Sequence, residues 1–286
     1  DHGQEIVEVM GHSAGQPAEQ LHFLGLQELP FQLLALRHVL LDGDEMSDGA
    51  AVGTDRGHCH FLVVEGTVLA PVDHWQITDD WHTTGLRGSA SNAYSTVSRY
   101  LVVPRTHSFS FKTPVREGLL WQKPDTLLRN MSGVPLGAAR GAINDFKDIM
   151  DGKYNVLRGT PYKGVPRIQS SIAEAEMKLS GARSYVYDAL GSQWRCLEDG
   201  IEPSVTVRKD VWLSRLNAFQ TARDVSRLLY DALGGDAIYT RKSRLDRAMR
   251  DTETMCQHWV GQKVSMESVG EMLFDVDGPG PRSIML

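Results

Sequence analysis

Four consecutive stretches in the second half of the chain space their apolar residues at alternating steps of three and four, the period of a helix with one buried face. Leu136, Ala139, Ile143, Phe146 and Met150 form the first stripe, and Ile168, Ile172, Ala175, Leu179, Ala182, Val186 and Ala189 the second. Ala218, Ala222, Val225, Leu229 and Ala232 form the third, and Leu245, Met249, Thr252, Cys256 and Trp259 the fourth. The breaks between them, DGKYNVLRGTPYKG, LEDGIEP and LGGDAIYTRKS, hold the glycines, prolines and acids that end helices. A helix that is apolar along one stripe must bury it, so four such helices, each of about 20 residues or more, predict an antiparallel bundle. The fourth is expected to run on through RDTETMCQHWVGQ, Arg250 to Gln262, with His258 set well round the helix from the stripe.

The first half has a shorter period. From about His60 to Phe111 the runs HFLVV, GTVLAPVDHWQI and NAYSTVSRYLVVP are bounded by Gly, Asp, Asn and Pro, which is a strand pattern. In the third run Val97, Leu101 and Val103 alternate with Tyr100 and Val102, which predicts one strand buried in part on each face. Ahead of this region, LHFLGLQELPFQLLALRHVLL reads as helix interrupted by Pro30. The shifts predict an α+β chain with a short helical part over 1–41, an antiparallel β-domain over 42–116 and a helical bundle over 117–286.

Composition narrows the partners. The chain of 286 residues is 41% hydrophobic and 23% charged, values of an ordinary globular protein. A formal charge of −6 offers no basic face for nucleic acid or an anionic membrane. No apolar run approaches the ~20 residues of a membrane span, and no secretory signal is visible. Cys59, Cys196 and Cys256 are far apart and form no CxxC pair, so neither a disulfide framework nor a thiolate zinc site is expected, and a reducing cytoplasm fits.

The chemistry-bearing motifs are first notable for what they lack. There is no GxGxxG, GxxxxGK[ST] or HExxH, so neither a dinucleotide fold, a P-loop nor a zincin helix is signalled. His58 and His60 form an HxH with His74 and His82 downstream, but no carboxylate or cysteine completes a metal pattern. The expectation is a polar strand start and no metal.

The stretch DHWQITDDWHTTGLRGSASNAYSTVSRYLVVP, Asp73 to Pro104, resembles the middle β-domain of the acyl-CoA dehydrogenase superfamily. The matching residues are Trp81, the turn Gly85, Leu86, Arg87, Gly88, Ser89 and Ser91, and the closing Val102, Val103 and Pro104. GVPLGAARGAINDF, IAEAEMKLSGARSYVYDAL and LYDALGGDAIYTRKSRLDRAMRDTETMCQHW resemble helices of that superfamily's C-terminal domain, in the same order. The resemblance covers roughly residues 53 to 286 and implies a flavin held between subunits of a homotetramer. It places Arg158 on the flavin phosphate, Gly234, Gly235 and Asp236 against the flavin of a neighbouring subunit, and Arg87, Ser89 and Ser91 along the border of the ring. Two departures stand out: the stretch before Asp42 is too short for the family's whole N-terminal helical domain, and the W-x-x-S-G-like flavin-lining segment is not recognisable around GDEMSDGAAVGTDRG. The expected architecture is therefore a truncated N-terminal helical part, a middle β-domain and a C-terminal four-helix bundle.

The branch within the superfamily turns on one residue. Where acyl-CoA dehydrogenases carry a glutamate base after the last helix, this chain reads QHWVGQ, and the only carboxylate between Asp251 and Glu267 is Glu253. A histidine eight residues after the arginine of M-R-D, preceded by Gln, resembles the two-component, group D flavin-dependent monooxygenases, and Arg250 and His258 keep that spacing. In that branch FMNH2 or FADH2 from a separate NAD(P)H:flavin reductase reacts with O2 to give a C4a-hydroperoxyflavin, which hydroxylates a small aromatic or heteroaromatic substrate. A neutral imidazole can donate to a peroxide and accept a proton from a phenol, indole or amine, whereas a carboxylate would repel the peroxide. The resemblance thus implies a catalytic His258, and Gly11-His12-Ser13 resembles the place of a second pocket histidine, His12. Two other readings stay open: an acyl-CoA dehydrogenase or oxidase with a displaced base, and a flavin-free binding or scaffold member of the family.

Overall fold

The computed structural model describes residues 6–10, 67–97, 100–104, 107–109, 116–122, 128–157, 159–240, 243–263 and 265–274. The chain divides into two compact units, one of Asp1–His82 with Gly88–Glu117 and the other of Thr83–Arg87 with Gly118–Leu286.

The first unit is built of antiparallel strand pairs. Ile6–Met10 (β1) pairs with Tyr100–Pro104 (β5), Thr67–Val68 (β2) with Ser108–Phe109 (β6), and Trp75–Thr78 (β3) with Ala93–Thr96 (β4). The run GTVLAPVDHWQI is therefore two strands, because Pro71 lacks the N–H a ladder needs and opens a single 3-10 turn at Val72–His74. NAYSTVSRYLVVP also divides, contrary to expectation: β4 and β5 take different partners. The break falls at Val97, 62% exposed, whose N–H closes the β3–β4 ladder on His74 O at 3.0 Å. Strand β1, in the stretch expected to hold only a helical remnant, was not legible as a strand. Inside this unit Trp75 is buried, edge-on to Tyr94 at 5.5 Å between ring centroids, with its indole N–H on Ala70 O at 3.3 Å.

The second unit is the bundle: α1 (Gly133–Gly152), α2 (Pro166–Glu198), α3 (Val205–Leu233) and α4 (Leu245–Met255), with a two-strand hairpin of Tyr154–Asn155 (β7) and Thr160–Pro161 (β8) between α1 and α2. Helix α3 is central and packs on α1, α2 and α4. The stripes meet as their period predicts: Ala139, Ile143, Phe146 and Met150 are buried against Ile168, Ala175 and Leu179, and against Ala222, Val225, Leu229 and Ala232. Each buried large aliphatic or aromatic side chain contributes about 1.5–3 kcal/mol relative to exposure. The helix ends are chemically marked. Pro166 occupies the first turn of α2, the Ser204 hydroxyl accepts from Val207 N–H at 3.4 Å to cap α3, and Gly200 beyond α2 adopts φ 64.

The fourth helix departs from the expectation. It has 11 residues and stops at Met255 instead of running to Gln262. The N–H groups of Gln257 and His258 reach back three residues, to Thr254 O and Met255 O at 3.0 and 3.1 Å, where an α-helix would reach four. This tightening accompanies burial of Val260 in a second cluster with Leu128, Phe219, Met255 and Cys256, and a glycine, Gly261, follows it. Tertiary burial thus wins over continuation of the helix. A further helix, α5 (Ser265–Phe274), was not anticipated. No helix among the described residues is long and apolar enough to cross a membrane.

Candidate functional site

The Gly85–Leu86–Arg87 turn and the segment carrying His258 are far apart in sequence, yet both are built onto the second half of α4. Thr83 Oγ1 donates to Gly85 O at 2.7 Å and tightens the turn. Leu86 then takes φ 52, a left-handed conformation that a branched side chain adopts only when its surroundings hold it there. Its N–H donates to Asp251 Oδ1 at 2.7 Å, and its side chain packs on the cluster of Met255, Cys256 and Val260. The other carboxylate oxygen of Asp251 accepts from Arg247 Nε at 3.2 Å. Arg250 Nη1 donates to Thr84 O at 2.8 Å while Nη2 holds Asp246 at 2.8 Å. That bond to Asp246 is the main reason the guanidinium holds its proton even more firmly than usual. The M-R-D of the sequence is thus a clamp on the turn.

Beyond Met255 the chain forms a loop tied to α3. The Cys256 thiol donates to Phe219 O at 3.4 Å, and Gln220 Nε2 donates to Gly261 O at 2.8 Å. Arg223 Nη2 in turn orients Gln220 by donating to its Oε1 at 2.6 Å. The loop closes on itself through Gly261 N–H and Gln262 N–H, which donate to His258 O at 2.7 and 3.1 Å. A Cβ on Gly261 would lie 2.9 Å from both Met255 O and the Phe219 ring, so only glycine fits this approach. His258 is half-buried, 6.0 Å from the Trp259 ring at an interplanar angle of 31°. Val260 N–H points at its Nδ1 at 3.4 Å, which favours the neutral tautomer with the proton on Nε2. That tautomer can donate from Nε2, and its ring gains a second donor when protonated.

The third feature lies at another level of the bundle. Leu233 ends α3, Gly234 takes φ 71, and Gly234–Ile238 form a 3-10 turn with both glycines exposed and open space around their α-carbons. Lys153 Nζ pairs with Asp236 at 2.7 Å, donates to Leu233 O at 3.2 Å and lies 4.6 Å above the Tyr162 ring, tying the end of α1 to this turn. Since Cys256 meets Phe219, the rise of α3 from Phe219 to Leu233 puts the Gly-Gly turn about 20 Å along the bundle from the His258 loop. Within one chain the structure brings the Gly85–Arg87 turn to the His258 segment, and does not bring Gly234, Gly235 and Asp236 there.

Of the remaining expected residues, Arg87 is exposed at the start of a 3-10 turn, Arg87–Ser89. In the first unit Ser89 Oγ and the buried Ser91 Oγ share a hydrogen bond of 3.0 Å, and Ala90 between them takes φ 45. Arg158, His12, His58 and His60 lie outside the described residues. Among the described residues no group of three His, Cys, Asp or Glu is placed to hold a metal ion. Sequence reasoning did not single out Asp251, Gln220 or Gly261. Asp251 stood in the M-R-D already used as a marker, while Gln220 sits between two buried positions of α3 with nothing in its spacing to mark it.

Residues 130–263 match the family model described as acyl-CoA dehydrogenase, C-terminal domain. Indole-3-acetate monooxygenase of Pseudomonas putida is 27% identical over 209 residues, covering 72% of this chain and 53% of that protein. The chain thus spans about half the length of this curated relative. Among solved structures, a 3-HSA hydroxylase from a Rhodococcus species superposes with a TM-score of 0.65 at 20% identity, over 77% of this chain and 58% of that one. TdsC of a Paenibacillus species, in a complex with FMN and indole, gives a TM-score of 0.62 at 20% identity, over 77% of this chain and 57% of that one. The chain has an acyl-CoA dehydrogenase-like α+β fold, and its residues 130–263 are similar to the C-terminal domain of that family.

Proposed function

We propose that this chain is a flavin-dependent monooxygenase of the two-component kind, which uses reduced flavin and O2 to hydroxylate a small aromatic or heteroaromatic substrate. The observation that carries the reading is a half-buried His258 on a braced loop, in a stretch from Thr254 to Met266 that contains no carboxylate. A proton-abstracting carboxylate, which dehydrogenase chemistry of this fold uses, has no counterpart there. The similarity to a protein named for indole-3-acetate oxygenation, and to TdsC solved with FMN and indole, supports the same class of substrate.

The residues present fit a flavin. The Gly234–Gly235 turn leaves its backbone approachable, and the one acid beside it, Asp236, is neutralised by Lys153 at 2.7 Å, so an anionic phosphate is not repelled. In this reading Gly234, Gly235 and Asp236 meet the flavin of a neighbouring subunit in a homotetramer, and Arg158 holds phosphate. Arg87, Ser89 and Ser91 border the ring, and His12 joins His258 in the pocket. The 20 Å between the Gly-Gly turn and the His258 loop accords with their serving two different flavins. When bound, FMNH2 or FADH2 with O2 supplies an electrophilic oxygen atom. The role of His258 is to donate a hydrogen bond from Nε2 or, in the other tautomer with Nε2 unprotonated, to take up the proton that a phenol, indole or amine loses as it is oxidised. The division into 1–41, 42–116 and 117–286, a cytoplasmic location and an NAD(P)H:flavin reductase as transient partner belong to the same reading.

The test mixes the protein with photoreduced FMN and indole under ¹⁸O₂, with catalase present to remove free peroxide. A hydroxylated product carrying one ¹⁸O atom is the expected result. Absence of labelled product across a panel of indoles and phenols, together with reduction of bound flavin by an acyl-CoA under anaerobic conditions, would place the chain with the dehydrogenases. A protein that binds neither oxidised nor reduced flavin at micromolar concentrations would be a binding or scaffold member instead.

A further inference from the structure

The clamp between α4 and the Thr83–Arg87 turn does more than close a loop. Leu86 takes φ 52, in the left-handed region, and its N–H makes a charge-assisted hydrogen bond to Asp251 Oδ1 at 2.7 Å. Its side chain enters the cluster that also takes Met255, Cys256, Val260 and Trp259, the residues on either side of His258. Arg250 grips the turn from the other side through Thr84 O at 2.8 Å, and Gly85 lies against the Arg250 carbonyl with no space for a side chain. Strain at a branched residue persists only where neighbours over-determine it, and here Leu86 is restrained by Asp251 of α4 and by a cluster that holds Met255, Cys256 and Val260 together with Leu128 and Phe219.

From this we infer that Asp251 is a positioning residue, which fixes the Thr83–Arg87 turn and the His258 loop as a single rigid element. The inference rests on the reading above, in which that turn borders the flavin and His258 serves the substrate. It deepens that reading by naming what sets the separation of the two. The physical argument is that Leu86 links both ends: its N–H is pinned to α4 and its side chain is a wall of the cluster into which Val260 and Cys256 fold. Releasing the N–H frees Leu86 to return to an unstrained φ, which withdraws its side chain from the cluster and removes a support of the loop. Arg247, on the second oxygen of Asp251 at 3.2 Å, keeps the carboxylate turned toward Leu86.

The experiment compares Asp251→Ala and Asp251→Asn with the parent chain by hydrogen exchange, following the peptides that span 83–88 and 256–262. Asp251→Ala is expected to speed exchange in both peptides by about tenfold or more, the scale of a lost hydrogen bond to a charged group. Asp251→Asn keeps an oxygen able to accept from Leu86 N–H and is expected to retain most of the protection in both. Arg250→Gln, which cuts the bond to Thr84 O and the pair with Asp246 but leaves Asp251 in place, is expected to fall between them and serves if the alanine variant does not fold. Glu253→Ala, which removes from α4 the pair with Arg227 of α3, is expected to leave both peptides unchanged. In parallel, the KM for reduced FMN is expected to rise by about tenfold in Asp251→Ala with a smaller change in melting temperature. Faster exchange at 83–88 with 256–262 unchanged would overturn the coupling, and unchanged exchange at both would overturn the clamp. A parent chain that binds no flavin would sink the functional reading alone, because the exchange measurement still decides the role of Asp251.

Discussion

Gly85 approaches α4 so closely that a Cβ built on it would stand 2.1 Å from the carbonyl oxygen of Arg250. No rotamer relieves this clash, because both sides are backbone. Gly85→Ala is expected to cost about 1–3 kcal/mol as the turn is pushed off the helix, read as a lower urea midpoint. Gly88→Ala, with nothing within 4 Å of its added carbon, is expected to be nearly neutral and serves as the comparison.

The imidazole of His258 is half-buried and lies on the loop beyond α4, outside the buried stripes of the bundle. His258→Ala is expected to lower hydroxylation turnover by about 10²–10⁴-fold, the usual scale of a lost acid–base group. Flavin affinity and melting temperature are expected to change little. Turnover equal to the parent's would remove this residue from the chemistry.

Tyr185 on α2 donates to Asp210 on α3 at 3.2 Å. Burial first, and then the neighbouring Asp210, push its phenol up to about 12. A group whose folded value lies above its unfolded value of about 10 favours folding below pH 10, and that contribution is lost as pH rises toward 12. Urea midpoints of the parent should therefore fall between pH 10 and 12 more steeply than those of Tyr185→Phe. The difference is expected to be no more than about 1 kcal/mol, because the phenol is only half-buried and solvent screens the pair. Parallel curves would contradict it.

Cys256 is buried, with its thiol pushed up to about 11 mainly by loss of solvent. At pH 8 the reactive thiolate is then on the order of one molecule in a thousand. Iodoacetamide should modify the half-buried Cys196 well before Cys256, as counted by peptide mass spectrometry. Labelling of Cys256 is expected to appear together with unfolding in urea.

The four stripes were legible because each apolar position answers to a local rule, the 3.6-residue period, and the buried faces of α1, α2 and α3 follow it nearly residue by residue. Where packing between distant segments decides, sequence spacing was a weaker guide. The end of α4 at Met255 depends on Val260 finding a cluster built from Leu128 and Phe219, which no window around His258 contains. The division of β4 from β5 depends on strand partners, β3 and β1, that lie elsewhere in the chain. The site was legible in its types of residue but not in its bracing. His258 and the Gly-Leu-Arg turn could be picked out as motifs, whereas Asp251 and Gln220 earn their places only through contacts with residues far away in sequence.

The early stop of α4 has a consequence for how such chains diversify. Helical order is complete at Met255, so the few residues that follow can be exchanged without disturbing the hydrogen-bond ladder of any helix. They need only keep the buried Cys256, an apolar residue at Val260, a glycine at Gly261 and a carbonyl for Gln220 to hold. A carboxylate or an imidazole can then be installed at the intervening positions by single substitutions, so scaffold and reaction can be inherited separately.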